Sequence, residues 1–223
     1  MPALIREFRA AKLVRLAVLL AAGFVLCLSF ARAQTAPKPY ADLVAQAESG
    51  DPATDYTALR NAYVVSGEYD GYSTKVHELY DVLWPAFQAK DCAKAIATSD
   101  EMLKIDYTLV TVHFIRSDCF KQMGDQARAG REDAIGKGLA HSLLSSGDGK
   151  STATAYVVVT MAEERFVLGY LELKEEKQSL VNAGGHNFDL IEGTNTKTGE
   201  KASAFFNVDA MFGSLTRSLQ KPK

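Results

Sequence analysis

The chain reads as α+β, a helical layer followed by an antiparallel sheet. Three observations predict it. Apolar residues recur at helical spacing between Leu79 and Leu143, the period changes to 2 after Gly147-Asp148-Gly149, and a turn signal at Asn195-Thr196-Lys197-Thr198-Gly199-Glu200 separates two alternating segments. In the helical part, Leu79, Val82, Leu83, Ala86 and Phe87 share one face, and Pro85 is expected to kink that helix or mark its boundary. Cys92, Ala95, Ile96, Ser99, Met102 and Leu103 form a second stripe. Leu109, Val112, Phe120 and Met123 form a third, and Ala134, Ile135, Leu139 and Leu143 a fourth. The short turns between them make neighbours antiparallel. Residues 156–161, 166–173 and 178–181, rich in Val, Leu and aromatics, read as strands, although 162–165 alternatively opens a short helix. Residues 187–192 and 202–209 flank the turn, where Gly199 can supply a positive φ.

The organisation is then a signal peptide at 1–33, a flexible arm at 34–55, a helical region at 56–147, an antiparallel β region at 148–213 and a tail at 214–223. Arg6, Arg9, Lys12 and Arg15 precede an apolar run from Leu16 to Phe30, which ends in Ala31-Arg32-Ala33 before Gln34. Basic, then apolar, then small-x-small is the order of a secretory signal, with cleavage between Ala33 and Gln34. The apolar run is about 15 residues, short of the roughly 20 that span a bilayer; an uncleaved N-terminal anchor is the alternative. Cys27 follows Val25-Leu26, which does not suit lipidation. The expected location is the periplasm or beyond, with no membrane span once the signal is removed. Of the 25 basic and 27 acidic residues, five and one lie in the signal, leaving 20 and 26 and a formal charge of −6. That balance disfavours nucleic acid and anionic membranes as partners. Cys92 and Cys119 remain as an even pair in an oxidising space, each near a helix end on the same side of the stack, and are expected to form a disulfide.

Lys90-Asp91-x-x-x-Ala95 recurs as Gly124-Asp125-x-x-x-Ala129 at an offset of 34 residues. The offset and the aligned alanines resemble tetratricopeptide repeats. The large residue expected early in each repeat is absent, so the reading is two degenerate helix pairs; coincidence within an ordinary helical bundle is the alternative.

A broader resemblance runs from Tyr56 to about Phe212. Its carriers are Tyr56-Thr57-x-Leu59-Arg60-x-x-Tyr63, Ser146-Gly147-Asp148-Gly149-Lys150-Ser151 with Thr154-Ala155-Tyr156, and Glu163-Glu164. Gly185-His186-x-Phe188-Asp189 and Thr198-Gly199-x5-Phe205-Phe206-Asn207-Val208 complete the set. Together they resemble the exported bacterial family called domain of unknown function 4919. The resemblance implies a two-part architecture and export, and no activity.

Several motifs fail on chemistry. Gly149-Lys150-Ser151 looks like the end of a phosphate loop, but Leu144 stands where the first glycine belongs, and the order is helix then strand. His77-Glu78 lacks a second histidine, since Asp81 stands one turn on; His113, His141 and His186 show no ligand spacing. Glu163 and Glu164 are adjacent, so they diverge in a strand and in a helix alike. The aromatics Tyr56, Tyr63, Tyr69, Tyr72, Tyr80 and Trp84 are read as packing rather than as a sugar-stacking surface. One constellation is kept. If Asn195 pairs with Glu200, His186 faces Asp209 and Phe188 faces Asn207, a cluster that either binds a ligand or ties the sheet closed.

The expected function is that of a protein- or peptide-interaction module without enzymatic activity, metal or cofactor, because helical repeats present a concave face. The alternative is a small-ligand receptor or hydrolase built on His186, Asn207 and Asp209.

Overall fold

The computed structural model describes residues 38–213; the signal segment, the cleavage position at Ala33 and Gln34, and the tail lie outside them. Among the described residues, six helices come first: α1 (Tyr40–Glu48), α2 (Tyr56–Val65), α3 (Thr74–Gln88), α4 (Cys92–Ile105), α5 (Val110–Gln122) and α6 (Gln126–Leu144). Strand β1 (Tyr156–Val157), helix α7 (Met161–Tyr170) and strands β2 (Leu173–Ala183), β3 (His186–Asn195) and β4 (Lys201–Asn207) follow. The class is α+β. None of these helices is long and apolar enough to cross a membrane.

Local chemistry explains the helix starts. Asp55, Ser73, Asp91, Asp125 and Thr160 each precede a helix, and their side chains accept the amide N–H of Ala58, Val76, Lys94, Arg128 and Glu163. The turns before α4 and α6 are closed by similar bonds. Asp91 N donates to Ala86 O and Asp125 N to Phe120 O, both at 2.9 Å, while Ala95 and Ala129 are 0% and 1% exposed. The residues that turn the chain are Lys90, at φ 59°, and Gly124, at φ 81°. The left-handed region suits the glycine and strains the lysine.

Four expectations change. The arm at 34–55 contains α1, whose Leu43 and Ala47 are buried one turn apart. The Pro and Gly residues there bound that helix rather than prevent one. Pro85 does not end α3; it lies inside it, close to the last turn. Residues 161–170 form α7 and not strand, because Thr160 caps the segment and burial falls at 163, 164, 167 and 168, a helical period. The sheet is mixed, ordered β1-β4-β3-β2, since the two-residue β1 runs parallel to β4. Its other pairings are antiparallel, and β3 and β4 take the expected register, with Phe188 opposite Asn207 and Thr194 opposite Lys201. Gly199 has φ +75°, as the turn requires.

One apolar cluster fills the space between α3, α4 and α5 through Leu83, Ala95, Met102, Val112 and Cys119. A second joins α1, α2 and α6 through Leu43, Leu59, Ile135 and Leu139. A third lies under the sheet and combines Val167, Ile191, Phe206 and Met211. Phe166 of α7 packs against both the second and the third, so α7 joins helices to sheet, as does Leu143 at the end of α6. The aromatics pack in part: Tyr63 is fully buried, with Tyr40 and Tyr69 rings each 5.2 Å from its own, whereas Tyr72 and Trp84 are 39% and 43% exposed.

Candidate functional site

The two adjacent glutamates at the start of α7 point to different partners. Glu163, 1% exposed, meets Arg60 of α2, 4% exposed, in a bidentate pair at 2.6 and 2.9 Å. The guanidinium also donates to Ser142 Oγ at 3.1 Å and Val157 O at 2.7 Å, and Glu163 Oε2 accepts Val159 N at 2.7 Å. Every charge in this cluster is matched, as burial demands. It joins α2, α6, α7 and the β1 segment.

Glu164 turns towards the sheet. Its carboxyl bonds to the carboxyl of Asp189 on β3, whose Oδ2 accepts Gln178 Nε2 from β2 at 2.7 Å. Glu164 is 3% exposed, and no N–H or hydroxyl donor reaches its Oε2. Burial, then the negative charges of Asp189 and Glu175, push Glu164 up to about 8. The proton is therefore retained at neutral pH and shared with Asp189. Tyr72, Leu180, Met161 and Phe212 join Glu164, Gln178 and Asp189 around a cleft of about 410 Å³.

A second concavity, about 500 Å³, opens among α1, α4, α5 and α6, lined by Val44, Leu103, Tyr107, Ile135 and a group of charged side chains. Arg116 pairs with Glu132 at 2.7 Å and with Asp100, and Arg128 pairs with Asp125 at 2.6 Å while lying over the Phe120 ring. Among the described residues no ion pair engages Lys104 or Arg131 on the same wall. Behind Glu132 stands His113, fully buried, with Nδ1 2.7 Å from Glu132 Oε2 and Nε2 2.9 Å from Tyr107 O. Both partners accept, so both ring nitrogens donate. Burial opposes ionisation of Glu132, yet the hydrogen bond and charge of His113, reinforced by Arg116, hold it below the usual carboxylate range.

The residues singled out by sequence fare unevenly. His186, Asn207 and Asp209 do come together: His186 Nδ1 is 2.6 Å from Asp209 Oδ2, and Asp209 N donates to Asn207 Oδ1 at 3.1 Å. Asn187 also donates to Asp209 Oδ1, from its amide at 2.8 Å and its side chain at 3.1 Å. Against a burial effect of opposite sign, these bonds hold Asp209 below the usual carboxylate range. The histidine side chain is 60% exposed, and the arrangement is the one a tie across the hairpin needs. Cys92 and Cys119 are free buried thiols. They are in contact: burial first, then the hydrogen bond and charge of Cys92, push the Cys119 thiol up to about 12. In the glycine turn, the amides of Asp148 and Gly149 donate to Thr154 O at 2.9 and 2.8 Å, and that of Lys150 to Asp148 Oδ1 at 3.1 Å. Those amides serve the turn rather than an anion. His77 faces Arg165 at the surface.

Sequence reasoning missed Arg60, Asp189 and the His113–Glu132 pair. A usable signal for the first was Arg60 standing on the same face as Leu59 and Tyr63, where only a paired charge is tolerated. A family model described as Domain of unknown function (DUF4919) matches residues 35–217. No curated protein matches the chain, and no solved structure does.

Proposed function

The chain belongs to that family, whose description assigns no activity, and we propose that it is an exported module that binds a partner protein or peptide through its helical layer. The observation that carries the reading is the groove of about 500 Å³ among α1, α4, α5 and α6. Its floor mixes Leu103, Ile135 and Tyr107, which supply contact area, with Lys104 and Arg131, which supply unspent positive charge. Such a groove suits an extended or helical segment carrying apolar anchors and acidic residues. Export rests on the order of basic, apolar and small residues before Gln34. The two helix–turn–helix pairs centred on Asp91 and Asp125 support a repeat-like scaffold, the kind that leaves a concave face open.

The test is in-cell photo-crosslinking with a reactive side chain placed at position 131, against a control at Lys201 on the sheet. The expected result is a discrete adduct from position 131 alone, weakened by Lys104→Glu. An adduct pattern identical at both positions, or none at 131, overturns the groove reading. N-terminal sequencing of the same material is expected to begin at Gln34; an intact Met1 in the inner membrane overturns cleavage.

A further inference from the structure

A smaller cavity lies where the loop before α3, the turn between α4 and α5 and the start of α7 meet. It measures about 210 Å³, the volume of about seven waters at about 30 Å³ each, which admits a small solute and not a helix or strand. Its buried charged group is Asp106, 2% exposed. Oδ1 accepts both the amide and the hydroxyl of Thr108, at 2.7 and 2.6 Å. Among the described residues no donor reaches Oδ2, and that oxygen is not sealed off as Glu164 Oε2 is: it keeps surface towards the cavity that Asp106 lines. A carboxyl held this far from bulk water with one oxygen open costs free energy until a donor arrives.

The opposite charge stands at the rim. Arg165 of α7 is exposed and donates from Nη1 to His77 Nδ1 of α3 at 3.1 Å. Among the described residues the arginines in ion pairs are Arg60, Arg116 and Arg128, so no carboxylate pairs with Arg165. Tyr80 lies within reach of both charges: after burial, Asp106 discourages its ionisation and Arg165 favours it. Asp70, exposed at the rim, acts with Asp106 on Tyr63 and so adds to the negative side. Val76, Leu109 and Met161 give the wall its apolar part. The loop is fixed in place, since Gly71 O accepts Met161 N at 3.0 Å and a Cβ at Gly71 would meet Val159 O at 3.0 Å.

We propose that this cavity binds a free amino acid, with its ammonium on Asp106 Oδ2, its carboxylate on Arg165 and an aliphatic side chain against Val76, Leu109 and Met161. Charge-assisted bonds at both ends fix such a ligand, and the apolar wall supplies contact area. A simple amine leaves Arg165 unmatched, and an inorganic anion leaves Asp106 unmatched. A divalent ion prefers six or more oxygens, and among the described residues no three His, Cys, Asp or Glu side chains group to hold a metal. The cavity shares no lining residue with the groove among α1, α4, α5 and α6, so either site can fail without the other.

Proton linkage adds a signature. Burial pushes Asp106 up to about 7 against the Thr108 bonds, with Glu163 of α7 adding to the rise and Arg60 of α2 opposing it. Tyr40, Tyr63 and Tyr80 face it from α1, α2 and α3. An entering ammonium favours the carboxylate, so affinity rises with pH by up to about tenfold per unit and levels off above about 7.

The experiment is calorimetry and two-dimensional NMR on the purified protein, titrated with L-leucine, L-valine and L-methionine between pH 5 and 8. Leucine methyl ester, which lacks the carboxylate, N-acetyl-leucine, which lacks the ammonium, and the dipeptide Leu-Leu serve as comparison probes. Expected are saturable binding of at least one of the three amino acids, amide shifts at Val76, Leu109 and Met161, and at least tenfold weaker binding of the ester and the acetyl derivative. Asp106→Asn should flatten the pH dependence, and Arg165→Gln should remove the preference for leucine over its ester. If Asp106→Asn unfolds, Arg165→Gln at the surface and the wild-type pH slope decide. Equal binding of either masked derivative, shifts elsewhere, or no saturation by any of the three at millimolar ligand overturns the site. Tighter binding of Leu-Leu than of leucine overturns the free amino acid as the ligand.

Discussion

Replacing Arg60 by Met removes four donated hydrogen bonds at once: two to Glu163 at 2.6 and 2.9 Å, one to Ser142 Oγ at 3.1 Å and one to Val157 O at 2.7 Å. Methionine fills much of the volume of the arginine stem, so packing loss is secondary. What remains is a glutamate 1% exposed that keeps one donor among the described residues, Val159 N at 2.7 Å. Breaking a buried pair from one side costs about 3–5 kcal/mol, because the survivor keeps its desolvation penalty. Glu163→Leu strands the guanidinium in the same way, softened by its bonds to Ser142 and Val157. Arg60→Met/Glu163→Leu removes both charges, and swaps of this kind are often neutral or stabilising. The double variant is therefore expected within about 1–2 kcal/mol of the parent, against a simple sum of about 6–10 kcal/mol from the singles. Urea unfolding at pH 7 followed by circular dichroism reads these values from the midpoint, provided the slope is constant across the four proteins. Additive costs, or either single below about 1 kcal/mol, would refute the claim that this pair binds α2 to α7 as one desolvated unit.

Other outcomes are expected from the same structure. Burial, against the Thr108 hydrogen bonds and helped by Glu163, pushes Asp106 up to about 7. The folded state therefore holds a proton that an unfolded Asp releases near pH 4, so this contribution is full below about pH 4 and lost as pH rises to about 7. Asp106→Asn should flatten that stretch of a stability-versus-pH curve measured by urea unfolding; an unchanged slope counts against the burial argument. Cys92 and Cys119, adjacent and buried, should resist iodoacetamide in the reduced native protein, and in exported protein should form a disulfide worth roughly 3 kcal/mol. Intact mass without reduction, two hydrogens lighter or not, decides it. Gly193→Ala should cost about 1–3 kcal/mol, because an added Cβ would meet Lys174 O at 2.1 Å beside the irregularity at Glu175 and Lys177. A midpoint equal to the parent's would show that β2 shifts freely there.

The parts of the fold legible in the sequence are those set by short-range chemistry. Apolar spacing located α3 to α6, and the pairing of Asn195 with Glu200 gave the β3–β4 register that places His186 against Asp209. Where the reading failed, two local signals competed. Residues 166–173 carry enough Val, Leu and Phe to pass for a strand, yet the Thr160 cap decides for helix. Pro39, Gly50 and Pro52 dominated the view of 34–55, while the spacing of Leu43 and Ala47 between them was the better guide.

The glutamates at the start of α7 show why the sites were harder to see than the fold. Adjacent residues on a helix differ by about 100° in direction, so Glu163 and Glu164 were bound to diverge, and divergence alone spoke against a catalytic pair. It did not say where each one goes. Glu163 finds Arg60 across 103 residues of chain, and Glu164 finds Asp189 on β3. No spacing rule reaches that far, because the partners are chosen by how α7 lies between the helical layer and the sheet. One glutamate meets a guanidinium supplied by the chain itself and is silent as structure. Its neighbour meets only another acid and keeps an oxygen without a donor. The same residue type, one position apart, thus serves as an ion-pair fastener to the helices on one face of α7 and as a proton-sharing partner of the sheet on the other.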